Sequence, residues 1–152
     1  MQKIRTFLWF DGDVEEAMKL YTSIFKNSKM GDLMRGPDGK VTGGTFTLEG
    51  VEFMGLNGGP QFKFTEAISL FVDCKDQREV DELWSKLIAD GGEESQCGWL
   101  KDKFGLSWQI IPAALMELLG DKDPARAKRA TDAMLKMRKI DVATLRRAAD
   151  GA

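Results

Sequence analysis

The first 112 residues of this chain read as one pattern written twice. Ile4 to Phe10 is a short apolar strand, followed by a helix beginning Asp13-Val14-Glu15-Glu16-Ala17-Met18. Ile68 to Cys74 is a second such strand, followed by a helix beginning Asp76-Gln77-Arg78-Glu79-Val80. Each half closes in strands built around a Gly turn, Glu49-Gly50-Val51 in the first and Phe104-Gly105-Leu106 in the second. An internal repeat limits the architecture more than any local propensity does. Two βαβββ units predict an α+β fold with a curved mixed sheet and a cleft, and ligands favour concave junctions between repeats. The expected modules span about residues 1–59 and 60–112, with a helical extension over 113–152 packed on the body or on a dimer partner.

Local signals fill in each module. Phe7-Leu8-Trp9-Phe10 is a continuous apolar run, which predicts a strand buried on both faces. Val14, Ala17, Met18, Tyr21 and Phe25 recur at helical spacing and mark one buried face. Strands are expected at Met30–Arg35, Val41–Glu49 and Val51–Asn57, the first two separated by the turn Gly36-Pro37-Asp38-Gly39. Gly43-Gly44 predicts a bulge or a close backbone approach. Gly58-Gly59-Pro60 reads as the linker, and Phe62-Lys63-Phe64 as the lead into the second module. There the helix over 77–90 carries Val80, Leu83, Trp84, Leu87 and Ile88 on one face and stops at Gly91-Gly92. A strand over Glu94–Gly98, a turn at Lys101-Asp102-Lys103 and a strand over Leu106–Ile111 complete it.

The tail has a different character. Residues 121–152 hold nine Lys and Arg against five Asp and Glu, whereas the whole chain has a net charge of −2. Asp123-Pro124 and Asp141 are helix starts. The acids are interspersed and no aromatics interleave, so a solvated amphipathic helix is expected rather than a nucleic-acid surface. No run approaches the ~20 apolar residues of a membrane span. Two cysteines are too few for a disulfide framework, so a cytoplasmic setting is expected.

The chain contains no histidine. That removes Ser-His-Asp triads, Cys-His pairs and His-containing zinc sites. Acid–base chemistry would fall to Asp, Glu, Lys, Tyr or Cys. Cys97, in Gln96-Cys97-Gly98-Trp99, and Glu66, just ahead of a strand, are the catalytic candidates. Cys97 is read either as a reactive thiol near Lys101 and Lys103 or as an inert strand cysteine. Trp9, Phe46, Phe71, Trp99 and Trp108 either line an apolar pocket or fill the core. Asn57, Ser69, Gln96 and Gln109 are polar residues set among apolar strand neighbours, and either orient a ligand or bond one another across the sheet.

Trp9-Phe10-Asp11, Glu15-Glu16-Ala17, Tyr21, Ile24-Phe25-Lys26-Asn27-Ser28, Phe64-Thr65-Glu66-Ala67-Ile68-Ser69-Leu70-Phe71 and Glu94 to Asp102 resemble the PhnB-like branch of the vicinal-oxygen-chelate superfamily. That superfamily includes glyoxalase I, extradiol dioxygenases, fosfomycin-resistance enzymes and bleomycin-binding proteins, and this branch is often called 3-demethylubiquinone-9 3-methyltransferase. The resemblance covers nearly the whole chain, tail included. It implies paired βαβββ modules, a homodimer, and metal ligands on the first and last strand of each module. Those positions fall at about Ile4, Met54, Ser69 and Gln109, of which only Gln109 is a plausible ligand. The expectation is therefore no metal and no cofactor, with Met54 joining the ligand-facing residues. Methyl transfer gains no support, because the turn Asp11-Gly12-Asp13 is acidic where a nucleotide-type donor would need a Gly-rich helix start. The function expected is binding of a small apolar or aromatic molecule. The alternatives are an enzyme using a carboxylate, Cys97 or a metal, and a dimeric interaction protein with a filled cleft.

Overall fold

A computed structural model describes residues 2–152. The chain divides into two compact units, the first ending at Phe64 and the second running from Thr65 to Ala152. The first holds β1 (Thr6–Phe10), α1 (Val14–Ile24), β2 (Lys29–Arg35), β3 (Val41–Leu48) and β4 (Val51–Asn57). The second holds β5 (Ser69–Cys74), α2 (Gln77–Ile88), β6 (Glu93–Glu94), β7 (Trp99–Lys101) and β8 (Ser107–Pro112). It continues into α3 (Ala113–Leu119), α4 (Pro124–Met134) and α5 (Val142–Ala149).

Both units repeat the βαβββ order. Each unit builds its own four-stranded mixed sheet, ordered β1-β4-β3-β2 in one and β5-β8-β7-β6 in the other. In each, the first strand lies parallel to the last. Among the described residues no helix is long and apolar enough to cross a membrane.

Strand alternation assigns the faces, since residues in register across a sheet point the same way. In the first unit, Leu8, Phe10, Phe46 and Phe53 point toward α1 and are buried with Val14, Ala17, Met18 and Tyr21. Phe46 stacks on Phe53 with ring centroids 5.4 Å apart, and Tyr21 lies 6.3 Å from Phe46. The expectation of a strand buried on both faces fails. β1 alternates, with Leu8 and Phe10 inward and Phe7 51% exposed. The glycine pair does mark a close approach. A Cβ on Gly43 would lie 2.7 Å from the Gly55 carbonyl oxygen, and the β2–β3 register shifts on either side of Leu33–Met34.

Phe62 and Phe64 stay with the first unit. The Phe62 ring meets Trp9 edge-on at 5.0 Å, and Phe64 meets Phe10 at 5.3 Å.

In the second unit α2 covers the face carrying Leu100, Trp108 and Ile110. Asp76 caps the helix by accepting from the Glu79 amide at 3.0 Å, and Asp90 and Gly91 leave it through positive φ. The strand expected over Glu94–Gly98 is instead two residues of β6 and a turn. Cys97 has φ 59° and Gly98 φ 87°, which no regular strand accommodates. Trp99–Lys101 forms β7, so Lys101, expected in a turn, ends a strand.

The hairpin between β7 and β8 is organised by Asp102, which is 2% exposed. Its carboxylate accepts from the Phe104 amide at 2.9 Å, the Leu106 amide at 3.1 Å and the Trp108 indole at 2.9 Å.

The C-terminal helices pack on the second unit itself. Ile111, Leu115, Leu118, Ala130, Ile140, Leu145 and Ala149 form one buried cluster. Gln77 ties the tail to the start of α2, donating to the Ile140 carbonyl at 2.9 Å and accepting from the Val142 amide at 2.7 Å. Lys139 pairs with Asp81 at 2.8 Å, and this with the Gln77 amide holds the Asp81 carboxyl below its ordinary range.

Candidate functional site

Each sheet has one face turned away from its helix, and these two faces carry most of the candidate residues. On the first sheet the open face presents Phe7, Trp9, Met54, Leu56 and Met34. Phe7 and Met54 stand in one row, and Trp9, Leu56, Gly43 and Met34 in the next. All five side chains are apolar, and each is partly or well exposed. The Trp9 indole is fixed by donating to the Gly59 carbonyl at 2.9 Å. A Cβ on Gly58 would lie 2.2 Å from the Trp9 ring, so this glycine makes room for the indole.

On the second sheet the face away from α2 carries Phe71, Gln109 and Trp99 in one row and Ser69, the buried Ser107 and Lys101 in the next. Gln109 donates from its amide to the Ser69 hydroxyl at 2.9 Å. Phe71 is 46% exposed. The next position along β8, Ile111, is covered by the C-terminal cluster.

The expected ligand-facing residues therefore separate. Trp9 and Met54 share one open face, and Ser69, Phe71, Trp99 and Gln109 share the other. Phe46 and Trp108 lie on the helix-covered sides in the core. Asn57 accepts from the Val14 amide at 2.9 Å and so caps α1. Gln96 is exposed in the turn before β7. Phe7, Met34, Leu56 and Ser107 were missed. Parity would have found Phe7, because a helix-facing Leu8 and Phe10 place Phe7 and Trp9 on the opposite side, whereas Met34 and Leu56 join them only through the cross-strand register.

The catalytic candidates are held in other ways. Glu66 is ion-paired with Lys101, and that hydrogen bond keeps its carboxyl below the usual range. A charged, paired carboxylate is a weaker base than one raised by burial. Cys97 donates its backbone amide to the Met137 carbonyl at 2.8 Å and is half-buried. Cys74 is buried, and desolvation followed by the Glu79 charge pushes its thiol up to about 12. A raised thiol pKa leaves the neutral form dominant at pH 8, and the thiolate is the nucleophile. Native protein treated with iodoacetamide at pH 8 is expected to take up one equivalent, on Cys97, with Cys74 reacting only in denaturant. Mass spectrometry after digestion checks this, and comparable labelling of Cys74 in native protein would contradict it.

The superfamily's metal positions do not fit a divalent ion in this chain. Ile4 precedes β1 and is 86% exposed, Met54 offers only a thioether, and Gln109 donates its amide to Ser69. Hard cations need several oxygen donors, and zinc about three protein ligands. Among the described residues no group of three or more His, Cys, Asp or Glu side chains is arranged to hold a metal ion.

The repeated βαβββ topology and its open faces define a protein of paired α+β modules. More narrowly, residues 2–111 match the model of the 3-demethylubiquinone-9 3-methyltransferase family, and the chain belongs to that family. It is similar to the structure described as a putative 3-demethylubiquinone-9 3-methyltransferase, PhnB protein, from Bacillus cereus. The two share 39% identity over 74% of this chain and 100% of that one, with a TM-score of 0.69. A Pseudomonas aeruginosa protein shares the fold at 16% identity, with a TM-score of 0.62 over 74% of this chain and 98% of its own. The fosfomycin resistance protein FosX of Listeria monocytogenes, solved with Mn(II) and sulfate, does so at 15% identity. Its TM-score is 0.52 over 71% of this chain and 89% of its own. No curated protein matches the chain. The family match ends at residue 111, so the C-terminal helices lie outside it, contrary to the expectation that the tail was included.

Proposed function

We propose that this protein binds a small, flat, apolar or aromatic molecule on its open sheet faces, without a divalent metal. The observation that carries the reading is the set of partly exposed aromatic and thioether side chains, Phe7, Trp9, Met34 and Met54 on one face and Phe71 and Trp99 on the other. Apolar walls with a few placed polar groups are what ligand sites share, and Gln109 and Ser69 supply such groups. A cytoplasmic homodimer is part of the proposal, since exposed apolar side chains of this size favour burial against a ligand or a second copy. Methyl transfer is not favoured. Asp11 and Asp13 flank one strand-to-helix turn and Asp76 caps the other, where an anionic group of a donor would be repelled.

The test is calorimetric titration with 2-naphthamide, with and without EDTA. Binding is expected with a dissociation constant below about 1 mM, a modest value for a preformed apolar face. It should survive EDTA and weaken about tenfold in Gly58→Ala, whose new Cβ displaces the Trp9 indole, and in Trp99→Ala. Loss of binding in EDTA, restored by Mn2+ or Zn2+, would replace this reading with a metal-dependent one.

A further inference from the structure

Ser107 is 1% exposed, yet its hydroxyl has no hydrogen-bond partner among the described residues. Native proteins rarely leave a buried polar group unpaired, and each case calls for a cause. The surroundings of this one are specific. Ser107 opens β8, the strand lying between β5 and β7. Its register neighbours are Ser69 on β5 and Lys101 on β7. Glu66 stands three residues ahead of Ser69, in the turn that leads into β5. The Lys101–Glu66 ion pair therefore spans from β7 to the approach of β5, across the start of β8. An ammonium, an unpaired hydroxyl, the Ser69 hydroxyl and the Gln109 amide all share one patch, beside Phe71 and Trp99.

The pair itself is exposed, with side-chain exposures of 37% for Lys101 and 59% for Glu66. Exposed ion pairs are cheap to open. Opening this one would offer a cation and a hydroxyl donor at the edge of an aromatic surface. We infer that Lys101 is the anion-binding residue of the second-sheet site, that the Glu66 carboxylate occupies it as an internal stand-in, and that the ligand is a flat apolar molecule bearing a carboxylate. An incoming carboxylate exchanges with Glu66 on Lys101 and takes the Ser107 hydroxyl as a second donor, which supplies the partner Ser107 lacks. No bond is made or broken beyond hydrogen bonds and ion pairs. The inference rests on the small-molecule reading above and adds the charge and the contact point of the ligand.

The test compares 2-naphthoate with its neutral relative 2-naphthamide by calorimetry on the full-length protein. Wild type should prefer the naphthoate. Glu66→Gln removes the competing carboxylate and should raise naphthoate affinity by about fivefold, the scale of an exposed ion pair, with naphthamide unchanged. Lys101→Met should erase the preference and leave naphthamide binding intact. Ser107→Ala should weaken naphthoate by about threefold without lowering the melting temperature, because no existing hydrogen bond is lost. Equal binding of both probes by wild type, or a Glu66→Gln variant with unchanged or weaker naphthoate affinity, would overturn the inference while leaving the small-molecule reading standing. Binding of neither probe would overturn both.

Discussion

Replacing Asp102 with Ala is expected to destabilise the protein by about 4 kcal/mol, from the loss of several charge-assisted hydrogen bonds at a buried site. The carboxylate holds two backbone amides of the β7–β8 hairpin, at Phe104 and Leu106, and the indole of Trp108. Trp108 is itself 2% exposed, so its N–H would be left in the core without that acceptor. A bond to a charged acceptor is worth roughly 1.5–3 kcal/mol, and the orphaned donors add a desolvation cost. Asp102→Asn keeps the shape and one acceptor oxygen, and should lose about half as much. Chemical denaturation checks both, with the midpoint falling and the slope unchanged. The melting temperature of the Ala variant should drop by about 10 °C. A loss below about 1 kcal/mol for the Ala variant would mean that water satisfies these donors, and that the hairpin does not depend on the carboxylate.

What was legible in the sequence follows from how each signal is generated. The repeat was legible because apolar spacing changes period between strand and helix, and it does so twice in the same order. Helix starts at Asp76, Asp123 and Asp141 were legible because a short carboxylate accepting a free amide is a local event, and all three make that bond. The capping of α1 was not, because the acceptor is Asn57, 43 residues away. The same distance problem hid the site. Trp108 and Gln109 are neighbours in sequence, yet one bonds Asp102 in the core and the other faces outward beside Phe71 and Trp99. Composition assigns both to a pocket, and only register separates them. β1 misled for a related reason. Four apolar residues in a row conceal alternation, and the exposed partner, Phe7, is apolar because that face is open rather than because it is core. Asp102 left a trace, a carboxylate three residues before Gly105, but its burial depends on a tryptophan packed under α2.

The tail makes the second large prediction. Ile140→Ala should cost about 3 kcal/mol, within the range for emptying a large aliphatic side chain from a core. Ile140 is 0% exposed among Ile111, Leu115, Ala130 and Leu145, although it lies in the short stretch between α4 and α5. The same stretch does more than bury surface. The Met137 and Arg138 carbonyls accept from the Cys97 and Gly98 amides at 2.8 and 2.7 Å, fixing the turn from which Trp99 enters the open face. Gly98 has φ 87°, and a Cβ there would lie 2.7 Å from Ile111 and 3.1 Å from Ile140, so turn and tail fit without slack. Loosening Ile140 should therefore be felt at Cys97. Two readouts follow from one substitution, a lower denaturant midpoint and faster native-state alkylation of Cys97 by iodoacetamide. Ile140→Val, which removes one methylene, should cost about 1 kcal/mol and leave the alkylation rate near wild type. If Ile140→Ala lost stability with Cys97 no more reactive, the tail would be a stabilising cap alone. If it lost less than about 1 kcal/mol, the C-terminal helices would be surface decoration on a unit complete without them. The expected result makes them part of the apparatus that positions Trp99, added to a family domain whose own match stops at residue 111.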